Sequence, residues 1–174
     1  EYQFPTKYAG DFTVVWSAEP SIDLFSRPAE IVRATGEADA IRGVPSSLNY
    51  PGAVDANAVN KHGGVDRSMP PWSGTLYFHI LRLNVAADAI TATTCRTEVG
   101  VVNHGVRGPD SLTRGIGYLF SFSARLPRGG SDPRASAVHA TTSRLGDRAP
   151  RYNAFAPWQV TYTPVVNVYN PPSD

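Results

Sequence analysis

The sequence predicts an α+β domain: a curved, mostly antiparallel sheet with N-terminal helices packed on one of its faces. Three observations lead there. A single well-formed helical pattern lies early in the chain, at residues 26–43. Segments of alternating polarity dominate the remainder of the chain, at 75–100, 115–127 and 158–169. Gly and Pro number 15 each, so long helices are disfavoured and turns are frequent. Helices set apart from strands in this way indicate α+β. An all-β sandwich or barrel with one appended helix is the alternative.

The segment 11–18, DFTVVWSA, alternates. Phe12, Val14 and Trp16 fall on one side, Thr13, Val15 and Ser17 on the other, and Pro20 ends the strand. In the helix, Ser26 is placed to cap, Pro28 suits the first turn and Glu30 sits near the positive end of the dipole. Ile31, Ala34, Thr35, Ala38 and Ile41 form a stripe, with Arg33, Glu37 and Arg42 mostly outside it. Gly36 weakens the helix by about 1 kcal/mol relative to Ala, and Gly43 offers a C-terminal cap. A short second helix is expected over 50–60, started by Pro51, followed by a loop over 61–74. Residues 103–111 read as a loop and 137–143 as a short strand. In 115–127, Ile116, Tyr118, Phe120, Phe122, Ala124 and Leu126 share one face. Pro164 confines the last strand to an edge or a bulge.

Residues 75–100, TLYFHILRLNVAADAITATTCRTEVG, read as a hairpin. A register must place core with core and charge with charge. A loop with an odd number of residues, Ala86, Ala87 and Asp88, gathers Arg82, Arg96 and Glu98 on one face. Tyr77, His79, Leu81, Leu83, Thr93, Cys95 and Val99 then share the other face, which is expected to be the enclosed one. His79 is directly opposite Cys95 in this register. Such a pair invites a metal or an activated thiolate. Zinc needs about four ligands, and no CxxC, HxH or HExxH occurs. The expectation is a small buried thiol and a histidine hydrogen-bonded to a polar neighbour such as Tyr77 or Thr97.

Composition narrows function further. The chain has 174 residues, 41% hydrophobic and 18% charged, which suits a single domain over 1–174. The net charge is +1 and the arginines are scattered, so nothing recruits nucleic acid. No run of 18 apolar residues is present, so no membrane span is expected. One cysteine excludes an internal disulfide. No GxSxG, P-loop, GxGxxG or EF-hand pattern occurs, no carboxylate pair stands out, and His104, Asp110 and Ser111 read as turn chemistry. No catalytic residue, metal or cofactor is nominated. The strand aromatics read as core, some of them lining a cavity between sheet and helix. The expected ligand-binding residues are Tyr77, His79, Cys95, Tyr118, Phe120, Phe122 and Trp158.

SRPAEIVRATGEADAI, then NYPGAVDA, then DAITATTCRTEV resembles a pattern in exported proteins and lipoproteins of mycobacteria and related actinobacteria, many of unknown function. Several of these are similar to the NTF2-like fold, in which helices pack into a strongly bent sheet to form a cone. The resemblance covers residues 26–100 and carries over Tyr50, Pro51, Gly52 and Cys95. The strand at 11–18, ahead of the helices, departs from the usual NTF2-like order. A start at Glu1 without Met is read as a removed signal peptide, hence a secreted or cell-envelope protein. The expected function is binding of a small apolar ligand or a protein partner in a sheet–helix cavity. The alternatives are an isomerase or hydrolase of the polyketide-cyclase type, and a structural module pairing through its sheet, for instance as a homodimer.

Overall fold

The computed structural model describes residues 10–41, 50–58, 72–97, 117–134 and 152–168. Five strands and one helix lie among them: β1 (Gly10–Ala18), α1 (Arg27–Ala40), β2 (Trp72–Val85), β3 (Ala89–Thr97), β4 (Gly117–Arg125) and β5 (Gln159–Val168). They form one sheet in the order β1-β2-β3-β4-β5. β1 runs parallel to β2, and the other three pairings are antiparallel. The architecture is α+β with one open, mixed sheet. Among the described residues it is neither a closed barrel nor a two-sheet sandwich.

Helix α1 begins after Ser26, whose carbonyl accepts from Glu30 N at 2.9 Å. Ser26 does not cap with its side chain as expected. Its hydroxyl donates instead to the Asp23 carbonyl at 2.7 Å. Pro28 occupies the first turn, where a missing N–H costs nothing. The helix stops at Ala40, with Ile41 as C-cap; Gly43 lies outside the described residues.

The expected second helix is not formed over residues 50–58, which make successive tight turns. Gly52 at φ 80° and Asn57 at φ 60° both adopt the left-handed region, which a right-handed helix cannot accommodate. The expected loop at 103–111 and strand at 137–143 lie outside the described residues, as do Glu98 and Val99.

Side chains pointing toward α1 form cross-strand rows. One row is Trp16, Phe78, Arg96 and Tyr118. The next is Ala18, Ile80, Thr94 and Phe120. Beyond these come Leu83, Ala92, Phe122 and Tyr162, then Ile90, Ala124 and Val160. The helix covers them with Ile31, Val32, Ala34, Thr35 and Ala38, all buried. Ala53, Ala56, Ala154 and Phe155 close the far end of the core. A fully buried Phe such as Phe78 or Phe122 contributes about 2–3 kcal/mol of apolar burial. Gly36 brings helix and sheet close: a Cβ there would lie 2.9 Å from the Trp16 ring. Its cost in helix propensity is therefore the condition for this docking.

His79 pairs with Cys95 as expected, but the turn is not the expected three-residue loop: Val85 pairs with Ile90 and Ala86 N donates to the Ala89 carbonyl at 2.8 Å, which leaves Ala87 and Asp88 at the tip. Before the bulge the faces are the reverse of the expectation, whereas Arg82 outside and Leu83 on the core side are as expected. Leu76, Phe78 and Ile80 point to the core, while Tyr77 is 47% exposed and His79 lies on the outer face with it. The cause is a bulge. Ile80 pairs with Thr94 but Arg82 with Thr93, so Leu81 is an extra residue on β2. A regular ladder would put Arg82 on the face of Phe78; the bulge turns it outward and leaves that face apolar. Arg96, expected outside, is buried on the inner face.

β5 is an edge strand, and Pro164 sits where its register shifts against Leu119 and Phe120. Both expected accommodations of this proline are thus used.

Candidate functional site

The polar groups on the helix side gather at the row Trp16–Phe78–Arg96–Tyr118. The second half of α1 passes over this row and lowers two carboxylates onto it. Glu37 accepts a hydrogen bond from Trp16 Nε1 at 2.8 Å through Oε1, and one from the Tyr50 hydroxyl through Oε2. Asp39 accepts from Arg96 Nη1 at 3.3 Å. The Arg96 guanidinium lies over the rings of Tyr118 and Phe120, 5.2 and 5.1 Å from their centroids. Phe120 in turn stacks on Tyr162 at 4.8 Å.

Burial pushes the Glu37 carboxyl above the ordinary value. The hydrogen bonds from Tyr50 and Trp16, and the charge of Arg33, offset this only in part. A carboxyl of this kind holds a proton more readily than a free one. Thr94, in the next row, is fully buried and its Oγ1 has no hydrogen-bond partner among the described residues. A buried hydroxyl left in that condition costs about 1–3 kcal/mol.

The sequence-predicted residues divide among four places. Tyr118 and Phe120 belong to the polar row and its neighbour. Phe122 is core, and Trp158 donates to Asp132 Oδ2 at 2.6 Å within a separate network. Tyr77, His79 and Cys95 are on the opposite face of the sheet and line no sheet–helix space.

On that outer face His79 is held by β1 and the turn after it, not by Tyr77 or Thr97. Its Nδ1 shares a 2.8 Å hydrogen bond with Ser17 Oγ, and its Nε2 lies 3.3 Å from Glu19 Oε1. Ser17 Oγ also donates to the Phe78 carbonyl at 3.3 Å. The order Ser–His–Glu resembles a nucleophilic triad, but Glu19 is 49% exposed and the open sheet surface excludes no water. Burial, its largest influence, pushes the Cys95 thiol up, away from a reactive thiolate. Among the described residues no group of three or more His, Cys, Asp and Glu is arranged to hold a metal ion.

The Trp158 network is structural. Arg27 donates to Glu30 (2.7 Å), to Asp132 (2.9 Å) and to the carbonyls of Ala154 and Ala156. Arg134 and Tyr152 also donate to Glu30. These bonds tie the start of α1 to the segments flanking β4 and β5. Burial alone would raise the Glu30 and Asp132 carboxyls, and the donors around them overcome it, so both lie below their ordinary values.

Sequence reasoning nominates none of Glu37, Asp39, Tyr50, Thr94 and Arg96 as site residues. The available signal is the run of small residues Ala34, Gly36 and Ala38. A helix approaching a sheet this closely brings its flanking positions 37 and 39 onto the sheet as well. Comparison of the chain with family models, with curated proteins and with solved structures finds no match.

Proposed function

We propose that the chain is an exported cell-envelope protein that takes a small, mostly apolar molecule between helix and sheet, with the Glu37 row forming the polar end of the site. The observation that carries this reading is the buried Glu37 carboxyl under α1, bonded to Trp16 Nε1 and the Tyr50 hydroxyl and pushed above its ordinary value by burial. Ligand sites combine apolar walls with a few convergent polar groups and perturbed acids. Phe120, Tyr162 and Tyr118 supply the walls here, and Thr94 Oγ1, Glu37 and the Arg96–Asp39 pair supply the polar groups. An NTF2-like closure of the sheet around this space is part of the proposal and rests on the resemblance of residues 26–100.

A second reading, an enzyme of the isomerase or cyclase type, is favoured by the same residue. A carboxyl of raised pKa beside the Tyr50 phenol is suited to proton transfer. One experiment addresses the shared claim. Anilinonaphthalene sulfonate is titrated into the folded protein and displaced with dodecanoate. A saturable site, weakened at least about tenfold in Glu37→Gln and Thr94→Val, is expected. Absence of saturable binding, or binding indifferent to both substitutions, removes the site. Loss of turnover with retained binding in Glu37→Gln would select the enzyme reading.

A further inference from the structure

We propose that the free edge of β1 pairs antiparallel with the same edge of a second copy of this chain, centred on Val14. This does not rest on the Glu37 reading. β1 is at the edge of the sheet, engaged along its whole length with β2 on one side only. Among the described residues no backbone hydrogen bond reaches its other side. An edge of that length is a template for another strand, and proteins ordinarily blunt such edges with proline, lysine or a bulge. The opposite edge is blunted: β5 carries Pro164 and a register shift. β1 has none of these devices. Its nine residues, GDFTVVWSA, contain no proline or lysine, its ladder to β2 is unbroken, and its one charge is Asp11.

The occupant is chosen by self-complementarity. Antiparallel pairing about Val14 uses all nine residues and sets Asp11 against Ser17 and Thr13 against Val15 of the other copy. Pairing about Val15 instead engages only residues 12–18 of the strand. On the outer face Val15 is 43% exposed and lies beside the exposed Tyr77 in the β1–β2 register. The Val14-centred pairing brings the two Val15 side chains into diagonal contact, so each copy's Val15 and Tyr77 extend one apolar strip across the seam. The product is a continuous sheet with five strands from each copy. The twofold axis closes the assembly, so dimers form and filaments do not.

Sedimentation equilibrium of the whole chain, over about 1–300 µM, tests this. The expected result is a monomer–dimer equilibrium with no larger species. Val15→Lys alters an exposed position, so its fold is kept, and it should raise the dimer dissociation constant at least about tenfold. Val14→Cys, made with Cys95→Ser, should cross-link into a dimer on mild oxidation, because directly opposed Cα atoms lie within disulfide reach. A monomer at every concentration overturns the proposal. So does a dimer whose affinity Val15→Lys leaves unchanged together with no cross-link through Val14→Cys, since the interface is then elsewhere. A chain that stays monomeric but binds an extended peptide of another protein along β1 overturns the choice of occupant.

Discussion

Replacing Gly36 with alanine sets two effects of similar size against each other. Alanine favours a helix interior by about 1 kcal/mol over glycine, so a solvent-facing Gly36→Ala would stabilise the protein. Here the new Cβ would meet two ring carbons of Trp16 at 2.9 Å and Phe78 at 3.1 Å. The Trp16 ring cannot step aside freely. It stacks on Phe78 with centroids 4.4 Å apart, and its Nε1 is bonded to Glu37 at 2.8 Å. Overpacking of this kind costs about 1–3 kcal/mol, and losing the bond to Glu37 adds about 1 kcal/mol or more. The net expectation is destabilisation by about 1–3 kcal/mol, or a fall in Tm of about 2–12 °C for a chain of this size. Urea unfolding followed by tryptophan fluorescence and far-ultraviolet circular dichroism measures it. The double variant Trp16→Leu with Gly36→Ala separates the two effects: without the ring, alanine should become the better residue. A Gly36→Ala protein more stable than the parent by about 1 kcal/mol would refute the close docking of α1 on Trp16, and the Glu37 site with it.

Four further outcomes are expected. Glu37 and the Arg27 network should leave opposite marks on stability against pH. A carboxyl raised in the folded state helps folding below its unfolded pKa and loses that advantage as pH rises through the folded one. Glu37→Gln should therefore gain on the parent as pH rises from about 4.5, by no more than about 1.4 kcal/mol per pH unit; a flat difference across that range defeats the assignment. Glu30 and Asp132, lowered in the folded state, stabilise above their unfolded pKa and cease to as pH falls below about 4. Asp132→Asn should flatten the acid limb of the unfolding curve, and Arg27→Met should cost about 3–5 kcal/mol, because buried carboxylates lose their partner. Thr94→Val should raise the Tm of the ligand-free protein, since it deletes a buried hydroxyl with no partner, whereas a fall would mean that the hydroxyl is satisfied. His79→Ala and Cys95→Ser, both on the outer face, should leave anilinonaphthalene sulfonate binding within about twofold of the parent.

The elements of the sheet are legible where alternation is strict: β1, β4 and β5 appear within a residue or two of their expected limits. The hairpin itself is legible and His79 opposes Cys95 as expected, but through the bulge and not through the three-residue turn that the grouping of charges called for. The face is not legible. One extra residue at Leu81 inverts the relation between Arg82 and the residues before it. Nothing in LRL announces a bulge, since no glycine or proline marks it. Arg96 is hidden for a different reason. A charged residue on a strand is read as exposed unless its counter-ion is known, and Asp39 lies 57 residues away in sequence. Glu37 shows the same limit. Its two donors come from β1 and from the turn at Tyr50, so its desolvation is a property of the assembled layers, not of the helix pattern.

The parallel union of β1 with β2 has a consequence for how the molecule comes into being. Ser17 and His79, joined across it, are 62 residues apart along the chain, whereas β2 and β3 meet through a short reversal. During synthesis β1 leaves the ribosome well before anything it can zip onto exists, and it must wait through the helix and the long passage to Trp72. Distant unions of this sort are slow to form. The hairpin can nucleate without β1, so the first strand to be made is expected to be the last to dock. In that interval its valines and tryptophan are the segment a chaperone would hold.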